Sequence, residues 1–230
     1  MAAEDLEYSA ESVETSLGKI EVRLFEPRAK PTAVALLVHG KSPDVIWEWQ
    51  DLAPLLKQRG VAVLCPNLHS CDATVPGKGA DEDAVKALSE VLAWARARLT
   101  EVPVVVYGKS WGGSRSVQLV ASEGDAVVGL VLACPSPKVP DLAEQLLSLT
   151  APVLLLWARD DVTVPFSSSE TFLEPLLRRP AGRQRTLFEV LETGGHRVGP
   201  MLLEGSAARE KILSWPDLAA VLRSYATKDA

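Results

Sequence analysis

Apolar residues in this chain of 230 residues fall into short runs separated by polar segments. An early run, residues 19–25, alternates Ile20, Val22 and Leu24 with charged side chains, the period-two pattern of a strand with one face in water. Later runs are apolar at consecutive positions, as in parallel strands that helices cover on both faces. Such buried strands are predicted at residues 33–38, 61–65, 102–107, 127–133 and 153–157, and a further strand-like run covers 187–191.

Segments with helical patterns lie between these strands. Helices are predicted at residues 47–58, 81–99, 111–122, 141–149, 167–177 and 206–225, the last interrupted at Pro216. Alternating strands and helices imply right-handed crossovers and an α/β fold, with a doubly wound, mostly parallel β-sheet flanked by helices. We expect a single domain over residues 19–226, preceded by an N-terminal extension or edge strand over residues 1–18.

Residues 108–112, Gly-Lys-Ser-Trp-Gly, connect a buried strand to a predicted helix. A Gly-x-Ser-x-Gly sequence in this position is a nucleophile elbow, whose sharp turn exposes the serine hydroxyl. The turn strains the serine backbone. Side chains two residues to either side would collide with each other or with the neighbouring strand, so both positions require glycine. Ser110 is therefore the predicted nucleophile.

A nucleophilic serine needs a base to accept its proton and a carboxylate to orient that base. After an elbow, the acid and then the histidine follow in loops at the ends of later strands. Here the last buried strand is followed by Asp160 and Asp161, and the next strand-like run by a glycine pair and His196. His196 is the predicted base, with His69 as its rival. Either aspartate remains a candidate for the acid.

With these motifs, the chain from about residue 19 to about residue 225 resembles the α/β-hydrolase family. His39 and Gly40 resemble its oxyanion loop, and residues 108–115 are similar to small dienelactone-hydrolase-like proteins. The acid of the family lies four residues before the proline of a Val-Pro pair, which implies Asp161. Two features depart from the family: Ala158 replaces a usual glycine, and residues 65–71 lack a common glycine-rich stretch.

An oxyanion hole needs two N–H donors. The elbow supplies the backbone N–H of Trp111, and the loop after His39 and Gly40 supplies that of Lys41. We expect His39 to order this loop through hydrogen bonds. Lys109, beside the nucleophile, is either buried with a carboxylate partner or extended into solvent.

Other side chains have simpler interpretations. The Lys41 side chain is expected to be solvated, with attraction of an acidic substrate group as the alternative. Trp47 and Trp49 are expected to pack, although one of them could line the cleft. Cys71 has no elbow around it and is not expected to be a nucleophile.

The interval from Ser110 to Asp161 is only 51 residues. A helix and two strands occupy most of it, so the connection over residues 134–151 has room for one short helix. Many hydrolases of this family insert a cap domain here, and this chain lacks the length for one. We expect an open cleft, partly roofed by the loops at residues 42–49, 67–80 and 135–140.

A net charge of −6 and a pI near 5.2 argue against a nucleic-acid partner or a basic membrane-docking surface. Three cysteines do not form a disulfide framework, which suits a reducing compartment. No apolar run is long enough to span a membrane, and residues 1–5 do not resemble a secretory signal. We therefore predict a cytoplasmic protein. No residue cluster has metal-ligand spacing, and no cofactor is implied.

The leading functional hypothesis is a serine hydrolase that cleaves a carboxylic ester or thioester through an acyl-enzyme intermediate. Ser110, Asp161 and His196 would form its triad, and the N–H groups of Lys41 and Trp111 its oxyanion hole. The open cleft favours a small acyl ester, or a lipid or protein acyl group presented from outside. The alternatives are a non-hydrolytic binding or signalling module on the same fold and an acyltransferase or carbon–carbon bond-cleaving enzyme with the same triad. The oligomeric state is not predicted.

Overall fold

An eight-stranded sheet in the order β1-β2-β4-β3-β5-β6-β7-β8 forms the centre of the protein in a computed structural model that describes residues 7–78 and 81–224. The six strands from β3 to β8 are parallel to one another, while β2 pairs antiparallel with both β1 and β4. The strands are β1 (Ser9–Thr15), β2 (Gly18–Phe25), β3 (Ala33–Val38), β4 (Val61–Asn67), β5 (Val104–Lys109), β6 (Gly129–Ala133), β7 (Val153–Ala158) and β8 (Thr186–Leu191). The predicted doubly wound, mostly parallel sheet is confirmed.

The central strands are buried at every position, as their unbroken apolar runs predict. Strand β4 continues two residues past the predicted end at residue 65. Its last residues, Pro66 and Asn67, lie opposite Val22 and Glu21 of β2, so the antiparallel partner extends the strand beyond its apolar run. Strand β1 closes this edge of the sheet.

Helices pack on both faces of the sheet. They are α1 (Leu52–Gln58), α2 (Asp81–Arg98), α3 (Ser110–Glu123), α4 (Leu142–Ser148), α5 (Ser169–Arg178), α6 (Gly182–Arg185), α7 (Ala207–Leu213) and α8 (Trp215–Ser224). The short helix α6 was not predicted. Pro216 occupies the second position of α8, where its missing N–H costs no hydrogen bond, and the predicted interruption therefore separates two helices.

Helix α1 begins at Leu52, five residues later than the prediction of a helix from residue 47. Residues 46–51 instead form turns. The indole of Trp49 is buried and donates a hydrogen bond to the Val38 carbonyl at 3.0 Å. This contact ties the segment to the end of β3 before the helix starts.

The chain between Ser110 and Asp161 contains α3, β6, α4 and β7, and no cap domain is present among the described residues. The carboxyl ends of β3, β5, β7 and β8 lie along one edge of the sheet. In open α/β sheets, this is the edge at which ligands bind. It brings together the loops that carry Gly40, Ser110, Asp161 and His196.

Candidate active site

Ser110 is in the left-handed backbone region, with φ of +56°, at the junction of β5 and α3. A Cβ on Gly112 would lie 2.1 Å from the His39 carbonyl oxygen, and one on Gly108 would lie 2.2 Å from Ser116 Oγ and 2.8 Å from the Gly112 carbonyl oxygen. Neither position can accept a side chain. The predicted strained turn between two obligatory glycines is therefore present.

Asp161 is buried and contacts His196 directly. Its Oδ2 accepts a hydrogen bond from His196 Nδ1 at 2.7 Å. Its Oδ1 accepts the backbone N–H groups of Thr163 and Val164, each at 2.9 Å. These three donors fix the carboxylate, and the carboxylate in turn fixes the orientation of the imidazole.

Asp160 has a different role in the structure. Its two carboxylate oxygens accept the backbone N–H groups of Gly194 at 3.2 Å and Gly195 at 2.7 Å. Those hydrogen bonds hold the pKa of Asp160 below its ordinary value. Its neighbour Arg159 pairs with Glu192 instead, at 3.1 Å. Asp160 thus holds the glycine turn that precedes His196.

The His196 side chain is mostly buried, and its Nε2 makes no hydrogen bond in the part of the chain that the structure describes. Burial, together with the positive charge of Lys109, lowers the pKa of His196, although contact with Asp161 opposes the shift. Ser110 Oγ and His196 Nε2 are not hydrogen bonded here. In free enzymes such contacts are often long and tighten only when substrate binds.

The loop after β3 is held by two histidines. His39 is buried, donates from Nδ1 to the Gly40 carbonyl at 2.6 Å and accepts the Leu68 N–H on Nε2 at 3.0 Å. Burial lowers its pKa to about 4, so it is neutral at neutral pH. His69 donates from Nε2 to the Lys41 carbonyl at 3.0 Å. The expectation that His39 orders this loop is confirmed, and His69 binds the same loop rather than Asp161.

The Lys41 N–H makes no hydrogen bond among residues 7–78 and 81–224. In a trans peptide, this N–H points away from the Gly40 carbonyl, which His39 binds. A Cβ on Gly40 would lie 3.6 Å from Ser110 Cβ, so the loop passes directly over the serine. The Trp111 N–H is one of the first-turn donors that an α-helix leaves unpaired.

Lys109 is buried with a carboxylate partner, which is the first of the two alternatives that the sequence left open. Its Nζ lies 2.8 Å from Glu48 Oε2, and both side chains are less than a tenth exposed. Glu48 Oε1 accepts the Gly40 N–H at 2.6 Å. Burial raises the pKa of Glu48, and the charge of Lys109 opposes that shift. Sequence reasoning missed Glu48, because no pattern in residues 42–49 relates it to residue 109.

A cavity of about 500 Å³ adjoins Ser110. Trp111 lines it, and its indole N–H donates to Asp81 Oδ1 at 3.0 Å. Asp81 also pairs with the buried Arg115. The remaining lining comes from Lys41, Gly77, Ser136, Pro137, Lys138, Thr163, Val164, Pro165 and Ser168. Two of the predicted roof loops thus contribute to the cavity; residues 79 and 80 of the second loop lie outside the described residues.

The two tryptophans near residue 48 pack, as expected. Trp49 is in the core, and the ring of Trp47 covers the guanidinium of Arg23, which lies 3.5 Å from the ring centroid. All three cysteines are free and buried. Cys71 donates from Sγ to the Leu17 carbonyl at 3.2 Å and is not part of the site.

Cys134, at the end of β6, was not predicted to lie in the site. Its Sγ, an oxygen of Asp161 and a ring nitrogen of His196 lie within 4.8 Å of one another, and these atom types can bind zinc. Metal binding requires the thiolate. Burial and the charge of Asp161 raise the pKa of Cys134 to about 12, which disfavours that form. His196 Nδ1 and both oxygens of Asp161 already have hydrogen-bond partners, so the arrangement fits a hydrogen-bonded acid–base pair better than a metal centre.

The sheet order and the serine turn at its edge define the protein as an α/β hydrolase. The model of the alpha/beta hydrolase family matches residues 35–230, so the chain belongs to this family. No curated protein matches the sequence.

Solved structures of similar fold include a dienelactone hydrolase from Anabaena variabilis, with a TM-score of 0.70 and 21% identity over 96% of this chain and 98% of that one. A serine hydrolase without a lid from Xanthomonas campestris has a TM-score of 0.66 and 17% identity, over 95% and 93%. A cold-adapted esterase from an Arctic intertidal metagenomic library has a TM-score of 0.75 and 17% identity, over 92% and 93%. At these identities, the similarity shows the fold alone.

None of the helices within the described residues is long and apolar enough to cross a membrane.

Proposed function

We propose that the protein is a serine hydrolase that cleaves a small carboxylic ester or thioester through an acyl-enzyme intermediate. The observation that carries the proposal is the 2.7 Å contact between Asp161 and His196 at the sheet edge where Ser110 is held at φ of +56°. A serine at a strained strand-to-helix turn has few structural uses, and a buried aspartate paired with a histidine is what it needs as a partner.

In this proposal each residue has one role. Ser110 Oγ attacks the carbonyl carbon while His196 Nε2 takes its proton, and His196 then returns the proton to the leaving group. Asp161 holds the Nδ1–H tautomer of His196 and stabilises the imidazolium that forms. The N–H groups of Lys41 and Trp111 stabilise the oxyanion. Water, activated by His196, then releases the acid and regenerates Ser110.

The lowered pKa of His196 predicts the pH dependence of kcat/KM. Only the neutral imidazole can accept the serine proton, so activity is lost as pH falls through the pKa of His196 in the free enzyme. Because burial and Lys109 lower that pKa, we expect the acidic limb of the profile to lie below the ordinary histidine value of about 6.5. A profile of kcat/KM against pH for a neutral ester checks this. A limb at or above the ordinary value would contradict a lowered pKa of His196 in the free enzyme.

The absence of a cap among the described residues predicts a preference for short acyl chains. Each buried methylene contributes roughly 0.8 kcal/mol, so the gain per carbon should stop where the chain leaves the cavity beside Ser110. On p-nitrophenyl esters, we expect kcat/KM to peak at roughly two to six acyl carbons, without activation above the micelle threshold.

A steady rise to long chains, or a jump in rate at an interface, would contradict this expectation and favour a lipase-like enzyme. The same ester panel tests the proposed function when it is run beside the Ser110→Ala variant. Product analysis with an added alcohol or thiol separates hydrolysis from acyl transfer.

A further inference from the structure

The buried pair of Glu48 and Lys109 joins the two halves of the proposed oxyanion hole. Lys109 precedes the nucleophile in the elbow, and its Nζ binds Glu48 Oε2 at 2.8 Å. The other carboxylate oxygen, Oε1, accepts the Gly40 N–H at 2.6 Å. Glu48 therefore bridges the elbow, which carries the Trp111 N–H, and the loop that carries the Lys41 N–H.

Stability is a poor explanation for this pair. Burying two charges costs solvation free energy, and well-packed apolar residues of similar volume often stabilise a protein as much or more. A glycine loop has little stiffness of its own, since Gly40 lacks a side chain to pack. Glu48 accepts the Gly40 N–H. The histidines of the described residues bind the carbonyl oxygens of the loop instead: His39 donates to that of Gly40, and His69 to that of Lys41.

We infer that Glu48 is a positioning residue for the oxyanion hole. Its carboxylate holds the Gly40 N–H, one residue before the Lys41 N–H, and so fixes this loop over Ser110, while Lys109 holds the other carboxylate oxygen in place. This inference rests on the proposed function, because an oxyanion hole matters only to an enzyme that forms a tetrahedral intermediate. Loss of the Glu48 contact should therefore lower kcat and weaken the binding of transition-state analogues, with little effect on KM.

Two double variants separate positioning from charge. Glu48→Gln with Lys109→Met removes the ion pair but keeps an amide oxygen that can accept the Gly40 N–H. Glu48→Leu with Lys109→Met removes the same charges and leaves that N–H without an acceptor. Melting temperatures establish that both variants fold. If the leucine variant does not fold, Glu48→Met with Lys109→Met fills the same space with an unbranched side chain.

The measurements are kcat and KM for a short p-nitrophenyl ester, and the Ki of a trifluoromethyl ketone, whose hemiketal carries an oxyanion. We expect the glutamine variant to stay within about tenfold of the parent, and the leucine variant to lose about 10² to 10³-fold in kcat with a parallel rise in Ki. KM should change little in either variant.

Equal kcat and Ki values in the two double variants would overturn the role of Glu48 and leave the proposed function intact. A parent protein that neither hydrolyses esters nor reacts with a fluorophosphonate would instead overturn the proposed function, and this inference with it.

Discussion

Asp161→Asn should lower kcat by about 10⁴-fold, with the fold and KM nearly unchanged, because an asparagine of the same shape leaves His196 without the carboxylate that sets its tautomer. In the structure, Asp161 Oδ2 accepts His196 Nδ1, while Oδ1 is already occupied by the Thr163 and Val164 N–H groups. An asparagine there would keep its oxygen on those N–H groups and turn its NH₂ toward His196. His196 would then accept on Nδ1 and carry its proton on Nε2, so Nε2 could no longer take the proton of Ser110. Steady-state kinetics on a short ester measure this loss.

Asp160→Asn is the matched control, since it makes the same chemical change one residue away. Asp160 accepts two N–H groups of the glycine turn, and an asparagine oxygen can still accept from that turn. We therefore expect kcat to stay within about tenfold of the parent, because this change loosens the loop that carries His196 but keeps the acid of the triad. The reverse ranking of the two variants would make Asp160 the acid.

Ser110→Ala and Ser110→Gly should both lose about 10⁶-fold in kcat, since each removes the hydroxyl that forms the acyl-enzyme. They should differ in stability. Ser110 is held at φ of +56°, a conformation that strains alanine but not glycine. The free energy of unfolding of the glycine variant should exceed that of the alanine variant by about 1 kcal/mol, after the greater chain entropy of unfolded glycine is counted.

Urea denaturation of the two Ser110 variants checks this difference. Equal stabilities would mean that the turn stores no strain at Ser110. Retained hydrolysis in either variant would mean that the nucleophile lies elsewhere in the chain.

The sequence predicted those features that depend on local spacing. The unbroken apolar runs predict buried parallel strands, and the need for glycine at residue 108 follows from contacts with Gly112 and Ser116, which are close in the chain. The proposed order of Ser110, Asp161 and His196 also follows from local motifs. The structure brings Asp161 and His196 into contact, 35 residues apart, because both follow adjacent parallel strands.

Contacts between distant segments that no motif marks could not be predicted. Glu48, in the segment after β3, pairs with Lys109 at the end of β5. Asp160, after β7, accepts the Gly195 N–H in the turn that precedes His196. Cys134 lies near Asp161 only because β6 and β7 are neighbours. The late start of α1 at Leu52 follows from the Trp49 contact with Val38, a tertiary interaction that overrides the helical pattern of residues 47–51.

Every other proposed role depends on Ser110 being the nucleophile of an acyl-enzyme. The most direct test is to incubate the protein with a fluorophosphonate and to locate the adduct by mass spectrometry of its peptides. We expect one adduct per chain, on Ser110, with hydrolysis lost in proportion to labelling. An adduct on any other residue, or an ester-hydrolysing protein that remains unlabelled at Ser110, would contradict it.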